Sequence, residues 1–401
     1  MDLAIVKKIV GLSRKEYPWI IVLTLIVLAM HFSIIAYPNT IILDEVYYVN
    51  DAQQILSGNG VLRGEHPPLA ILLVYAGTLV FGDNSLGWRF SSVILGSASI
   101  FLLYLVCRQL AMSRRSSFLA SFLLALENLT FIQSSVAMLD ASTVFFMLLA
   151  FWLYLKENYP MASIAGAFSV LCKLTGVFTF LVIGLHWLIT RRNRRPYFIL
   201  SMLLAPLLFI ALLPLFDFVT TDKLISPIKR IVDMFTLTGS ITFETAKHPN
   251  ASHPWEWLVL LKIMPYAYNP DYLAVISPTV WALIIPTVGY LVYRIKKGSK
   301  AALFAILWFA STYLVWLLLD PVTERVTYVF YMYPTIGSIC IGLGMALSGL
   351  FGIWQNKTRG KLRIAVISGF FLYLALHTAT FILLSPVFGR WIPPLRYRLF
   401  G

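Results

Sequence analysis

Charge is what this 401-residue chain has least of. Asp, Glu, Lys and Arg make up 12% of it, where a soluble globular protein carries about 25%. Together with a hydrophobic share of 59%, that shortage excludes a soluble enzyme and leaves a polytopic membrane protein. Carboxylates are the scarcer sign: 18 Asp plus Glu stand against 32 Lys plus Arg, a formal net charge of +14. The excess does not describe a nucleic-acid-binding face, because the basic residues sit in short clusters between apolar runs, which is a topology signal. Cysteine is nearly missing. Cys107, Cys172 and Cys340 fall in or at the ends of apolar segments, which excludes a disulfide framework and a thiolate metal site. A glycine-rich phosphate loop, an HExxH helix and a Ser/His/Asp arrangement are all absent. His248 and His253 are read as shaping their loop, so no metal is expected. With neither internal repeats nor a low-complexity linker, residues 1–401 read as one integral membrane domain.

What is present is a series of apolar runs long enough to cross ~30 Å of hydrocarbon. They are separated by Lys7/Lys8/Arg14/Lys15, Arg108/Arg114/Arg115, Arg191/Arg192/Arg194/Arg195, Arg294/Lys296/Lys297/Lys300 and Lys357/Arg359/Lys361/Arg363. Placing every cluster in the cytoplasm turns hydropathy into a counting problem. Residues 18–37 cross outward and, lacking a cleavage pattern, are expected to stay as an anchor. The run from Pro67 to Phe81 is short of the ~20 residues a span needs, so it is read as an interfacial helix. Residues 38–87 then form one outer loop with two surface helices and the acidic pair Asp44-Glu45. Spans follow at 88–107, 117–137 and 140–156, and the stretch 161–190 crosses twice around Lys173. Residues 197–216 lead out to a long outer loop, 217–271. The last spans are 272–293, 301–319, 328–350 and 364–384. The expected fold is all-α with about eleven transmembrane helices, its tail with Arg390, Arg396 and Arg398 ending outside against the charge bias.

This topology gathers the unusual polar residues on one side: Asp44, Glu45, His66, Arg89, Asp140, Lys173 and the turn from Asp320 to Arg325. A few acids among fixed cations suit a reaction in which a hydroxyl attacks and an anion departs. One carboxylate takes the hydroxyl proton while cations hold the growing charge. A lysine at the depth of Lys173 costs ~2.5–3.5 kcal/mol to insert unless it meets water or a partner. Arg89 at a span start also has the simpler option of snorkelling to headgroups. Glu127-Asn128 is read as a helix-to-helix polar contact. Asn250-Ala251-Ser252 matches a glycosylation acceptor, and Trp88, Trp187, Trp255, Trp257 and Trp391 fit interfacial belts as well as sugar stacking.

Taken in order, the motifs resemble the protein O-mannosyltransferases, within the GT-C group of lipid-phosphate-sugar-dependent glycosyltransferases. The resemblance rests on Leu43-Asp44-Glu45, His66-Pro67-Pro68-Leu69, Arg89, Met138-Leu139-Asp140 and Lys173-Leu174-Thr175-Gly176. It continues in the His248-to-Trp257 segment and in Tyr328-Val329-Phe330-Tyr331-Met332-Tyr333-Pro334. It implies a GT-C fold and an enzyme that moves a sugar, typically mannose, from a polyprenyl or dolichyl phosphate to a Ser or Thr hydroxyl, with inversion, on the outer face. On the matching positions Asp44 is similar to the general base, Glu45 to a neighbouring acceptor or substrate-positioning group, and Asp140 to the second site carboxylate. Arg89, Lys173, His66 and Arg325 become candidate contacts of the donor phosphate. His248, His253, Trp255, Trp257 and Tyr331 become candidate contacts of acceptor or sugar. Three departures stand out. The 217–271 loop is far too short for the β-trefoil module of eukaryotic members. The family's Ser-Arg reads Ser134-Ser135, and its Tyr-His-Tyr reads Tyr331-Met332-Tyr333.

The expected partners are the lipid-phosphate sugar, a protein or peptide acceptor and the bilayer, with no nucleic acid. The expected place is a prokaryotic cell membrane with the site outside, or the endoplasmic reticulum lumen in a eukaryote. Two rivals remain at this point. One is a transferase that moves a sugar such as aminoarabinose to a lipid or glycan. The other is a secondary transporter using Asp44, Asp140 and Lys173 as an ion relay near the bilayer midplane.

Overall fold

The computed structural model describes residues 17–190, 195–245, 248–268, 270–356, 360–389 and 391. The clusters Lys7 to Lys15, Arg191 to Arg194 and Lys357 to Arg359, and the tail arginines 390, 396 and 398, lie outside the described residues.

The first apolar run forms α1 (Pro18–Ile34), with a proline opening it, where the missing N–H has no intrahelical role. The expected outer loop carries α2 (Glu45–Leu56) and α3 (Leu69–Phe81). At 13 residues, α3 is about 20 Å long by the 1.5 Å rise, short of the hydrocarbon thickness. Helix α4 (Ser85–Gln109) follows, its N-terminus capped by the Asn84 side chain, which accepts from Leu86 N and Gly87 N. Helices α3 and α4 meet backbone to backbone: a Cβ on Gly77 would lie 2.3 Å from Gly87 O, so only glycine permits that approach.

The third apolar run is broken. Helices α5 (Arg114–Ala125) and α6 (Asn128–Ser135) bend by 60° at Leu126-Glu127. Glu127 caps α6 through Leu129 N and Thr130 N. Helices α7 (Leu139–Leu155), α8 (Tyr159–Cys172) and α9 (Phe178–Thr190) come next. Residues 161–190 do divide at Lys173, through the single 3₁₀ turn Leu174–Val177. The pair α10 (Arg195–Met202) and α11 (Leu204–Thr221) forms the next apolar segment, which runs five residues further than hydropathy predicts before the loop begins.

The stretch expected to be a plain outer loop contains an amphipathic helix, α12 (Pro227–Gly239), and a short turn of helix, α13 (Glu256–Val259). It also departs from an all-α fold. Strands β1 (Met264–Ala267) and β2 (Tyr272–Ala274) pair antiparallel, with Met264 opposite Ala274 and Pro265 opposite Leu273. Tyrosine-rich sequence around a Pro270-Asp271 turn favours this hairpin. It docks on the broken third span: Asn128 Nδ2 donates to Leu273 O (2.6 Å), Asn128 N to Ser277 Oγ (2.8 Å) and Ser277 N to Glu127 Oε1 (2.8 Å).

The chain ends in α14 (Pro278–Trp281), α15 (Ile284–Lys296), α16 (Lys300–Phe309), a π turn over Ala310–Leu314, α17 (Val315–Thr323), α18 (Tyr333–Asn356) and α19 (Gly360–Leu384). Among the described residues five helices are long and apolar enough to cross a bilayer, or six with the bent pair counted as one span. Five shorter apolar helices accompany them. The main apolar core lies among α1 and α4–α8 and the helices from α14 onward. A smaller cluster of Val49, Ala52, Val74, Trp88 and Ala137 clamps α2 against α3, α4 and the start of α7. That clamp brings the acidic pair to Asp140.

Candidate active site

Leu43 has φ +46°, a left-handed conformation that costs a branched side chain about 1–2 kcal/mol. It turns the chain so that Asp44 occupies the N-cap position of α2 without capping it, since its side chain accepts no backbone N–H. Neighbouring helical residues point about 100° apart, and here the two acids have different surroundings. Glu45 is fully buried. Its Oε1 accepts from Arg89 Nε and Ala137 N (both 2.8 Å), and its Oε2 from Arg89 Nη2 (2.8 Å) and Ile42 N (3.0 Å). The remaining Arg89 donors go to the carbonyls of Ile35, Pro38 and Thr40. All five N–H groups of the guanidinium therefore have protein partners. This departs from the expected phosphate contact at Arg89 and the expected proton acceptor at Glu45, because neither side chain has a vacant direction. Together they fix the loop before Asp44 and, through Ala137, the start of α7.

Helix α7 carries Asp140 in its first turn. Its carboxylate receives the Lys173 ammonium at 2.8 and 3.0 Å. Lys173 has extended backbone because it ends α8, and its Nζ stands 5.2 Å from the Tyr331 ring centroid. The lysine thus has both the carboxylate partner and the aromatic face that its depth demands.

These elements enclose a cavity of about 520 Å³ whose lining includes Asp44, Tyr48, Arg63, His66, Lys173 and Arg325 together with His248, Tyr328 and Tyr331. Among the described residues no group hydrogen-bonds the Asp44 carboxylate. Burial raises its pKa from the usual carboxylate range. The Lys173 and His248 charges pull it down, and Asp140 pushes it up. His66 goes the other way. Burial, reinforced by the cations Lys173, Arg325, Arg63 and Arg230, lowers its pKa to about 3, so its imidazole is neutral and can offer a phosphate an N–H but no charge. Arg63 is held by Asp51 through Nε (2.8 Å) and Nη2 (2.7 Å). Arg325, at the antiparallel bridge with Thr242, has a guanidinium with no protein partner among the described residues.

Asp44, His66, Lys173, Arg325, His248 and Tyr331 therefore converge, and Asp140 is joined to them through Lys173. Three expected contacts do not. His253 stacks on Phe243 and pairs with Asp320 (3.0 Å). Trp257 is fully buried and donates to Ser252 Oγ (2.9 Å), while Trp255 projects from the surface. These aromatic residues build the loop and stay clear of the cavity. Arg63 and Tyr48 were not singled out from sequence. The signal for Arg63 was a basic residue three positions before His66 in a glycine-bounded turn. Among the described residues no group of three or more His, Cys, Asp or Glu is placed to hold a metal.

Residues 54–224 match the family model described as dolichyl-phosphate-mannose-protein mannosyltransferase. A polyprenol-phosphate-mannose–protein mannosyltransferase of Corynebacterium glutamicum is 23% identical, over 89% of this chain and 86% of its own length. The chain is thus similar to the protein mannosyltransferases, by the family model over residues 54–224 and by relatives at 23% identity over most of its length. Its fold is that of the GT-C membrane glycosyltransferases. The Saccharomyces cerevisiae Pmt1-Pmt2 complex bound to the sugar donor superposes with a TM-score of 0.76 at 13% identity, over 94% of this chain and 90% of that one. ArnT from Cupriavidus metallidurans bound to undecaprenyl phosphate superposes at 0.62 and 14% identity, over 92% and 76%. The protein is thus a multi-pass integral membrane glycosyltransferase. The matched stretch includes Arg63, His66, Arg89, Asp140 and Lys173, whereas Asp44 lies before it.

Proposed function

We propose that the protein transfers mannose from a polyprenyl-phosphate carrier to a Ser or Thr hydroxyl of a protein acceptor at the extracytoplasmic face. The observation that carries the site assignment is the Asp44 carboxylate, without a hydrogen-bond partner among the described residues in a cavity with Lys173, Arg63 and Arg325. In a single displacement the acceptor oxygen forms its bond to the anomeric carbon opposite the phosphate. The hydroxyl proton passes to Asp44, and the bonding pair leaves with the phosphate oxygen, inverting the configuration. Lys173 and Arg325 stabilise the departing charge, His66 donates a neutral N–H, and Arg63 supports from the far wall. Asp140 holds the Lys173 ammonium in place. Glu45 and Arg89 are positioning residues.

The carrier needs an apolar path. A groove of about 550 Å³ runs along α8, α9, α10 and α11, lined by Val170, Val177, Phe180, Met202, Phe209 and Ile231 among others. Val170 and Val177 flank Lys173 in sequence, which supports a tail lying in this groove with its phosphate toward the lysine.

The deciding experiment offers purified enzyme labelled polyprenyl-phosphate mannose with a Ser/Thr peptide and with lipid acceptors. Mannosyl-peptide is the expected product. Label found only on lipid would overturn the reading in favour of the aminoarabinose-type rival. The pH profile gives a second check. Asp44 acts as its carboxylate, and burial raises its pKa. Activity is therefore expected to be present above that pKa and to fall as pH drops through it, at a higher pH than the ~3.9 of a free Asp. Lys173 lowers the Asp44 pKa, so the residual activity of Lys173→Met should show this acid limb moved to higher pH. An unmoved limb would remove Asp44 from the role.

A further inference from the structure

Helix α12 touches three things at once. Ile228, Val232 and Phe235, spaced i, i+4 and i+7, are 73%, 57% and 64% exposed, an apolar stripe that belongs in lipid at the membrane surface. Ile231 lines the apolar groove. The third contact is with the loop that leads into α3. Arg230, 1% exposed, sends Nη1 to Gly64 O (2.7 Å) and Nη2 to His66 O (2.8 Å) and Arg63 O, while its Nε faces Asp217 of α11 at 3.2 Å. Thr238 Oγ1 donates to Glu65 O (3.3 Å). Four consecutive carbonyls, 63 to 66, are therefore held by one helix. Residues 60–66 have no regular secondary structure, so their polar backbone depends on donors from elsewhere. The side chains of Arg63 and His66 face the cavity. Gly64 leaves room for Leu237, whose Cδ1 would lie 2.2 Å from a Cβ there.

We propose that Arg230 is a positioning residue through which α12 couples seating of the carrier's polyprenyl tail to the placement of Arg63 and His66 around the phosphate. This rests on the proposed transfer reaction. A tail in the groove bears on Ile231, and the neighbouring Arg230 relays the position of α12 to the 63–66 backbone. The fork shape is needed as well as the charge. A lysine at position 230 can pair with Asp217, but it lacks the planar donors that serve three carbonyls.

The test compares Arg230→Lys with wild type in lipid nanodiscs, using long-chain polyprenyl-phosphate mannose and a ten-carbon analogue, each with the same Ser/Thr peptide. Wild type should favour the long chain in kcat as well as in KM. Arg230→Lys should lose roughly 10- to 100-fold in kcat with the long chain and much less with the short one, bringing the ratio of the two kcat values close to one. Thr238→Val removes one hydrogen bond and leaves the ion pair, and should move the ratio the same way by a smaller factor. A purely structural role would depress both substrates equally. Equal losses, or an unchanged ratio in both variants, would overturn the proposal. A wild-type enzyme that mannosylates no peptide from either carrier would instead overturn the underlying reaction.

Discussion

Asp44→Asn is expected to lower kcat by roughly 10²–10⁴-fold, the usual worth of a positioned general base, while leaving the protein at least as stable. Both halves follow from the same environment. Among the described residues the carboxylate accepts no hydrogen bond, and it caps no helix, so an amide breaks none of these contacts on entering. Burial already penalises the charged form, so neutralising it removes a desolvation cost. Binding of the carrier should survive, because the proposed phosphate contacts, Lys173 and Arg325, are left in place. Single-turnover transfer and carrier affinity, measured on the same preparation, separate the two. A variant that retains full turnover would remove Asp44 from the mechanism.

Arg89→Met is expected to fail differently, by destabilising the protein by about 3–5 kcal/mol, the usual cost of leaving one member of a buried ion pair alone. Glu45 would be left without its cationic partner at 0% exposure, and the carbonyls of Ile35, Pro38 and Thr40 would lose their donors. Thermal unfolding in detergent should show the loss. A direct phosphate contact would behave in the opposite way, raising KM for the carrier with little change in stability. Unchanged melting with a weakened KM would return Arg89 to the site.

Much of the architecture was legible because bilayer insertion writes itself in hydropathy and charge. The break at Lys173, the short α3 and the polar gathering around Asp44 all follow from segment length and the cost of an intramembrane cation. The hidden parts depend on packing. Sequence shows that Asp44 and Glu45 diverge, but which of them meets Arg89 depends on how α2 seats against α4, through residues as ordinary as Val49 and Ala52. Trp257 and His253 looked like sugar contacts because aromatic and imidazole groups serve both recognition and loop packing. Only the partners Ser252 and Asp320 distinguish the two uses. The β1–β2 hairpin was invisible, since seven strand residues carry little periodicity. Arg63 was passed over because its importance lies in a backbone that a distant helix supports.

The guanidinium of Arg325, without a partner among the described residues, has a consequence for the end of the cycle. A glycosyl phosphodiester arrives with one negative charge, but the phosphomonoester left behind carries about 1.5 to 2 at neutral pH. A pocket whose cations favour departure of the sugar therefore holds the spent carrier more tightly than the fresh one. Under the proposed reaction, exchange of lipid between pocket and bilayer becomes a slow step. Free polyprenyl phosphate should then compete with the substrate, and the inhibition should weaken as pH falls below about 6, where the second proton returns to the phosphate.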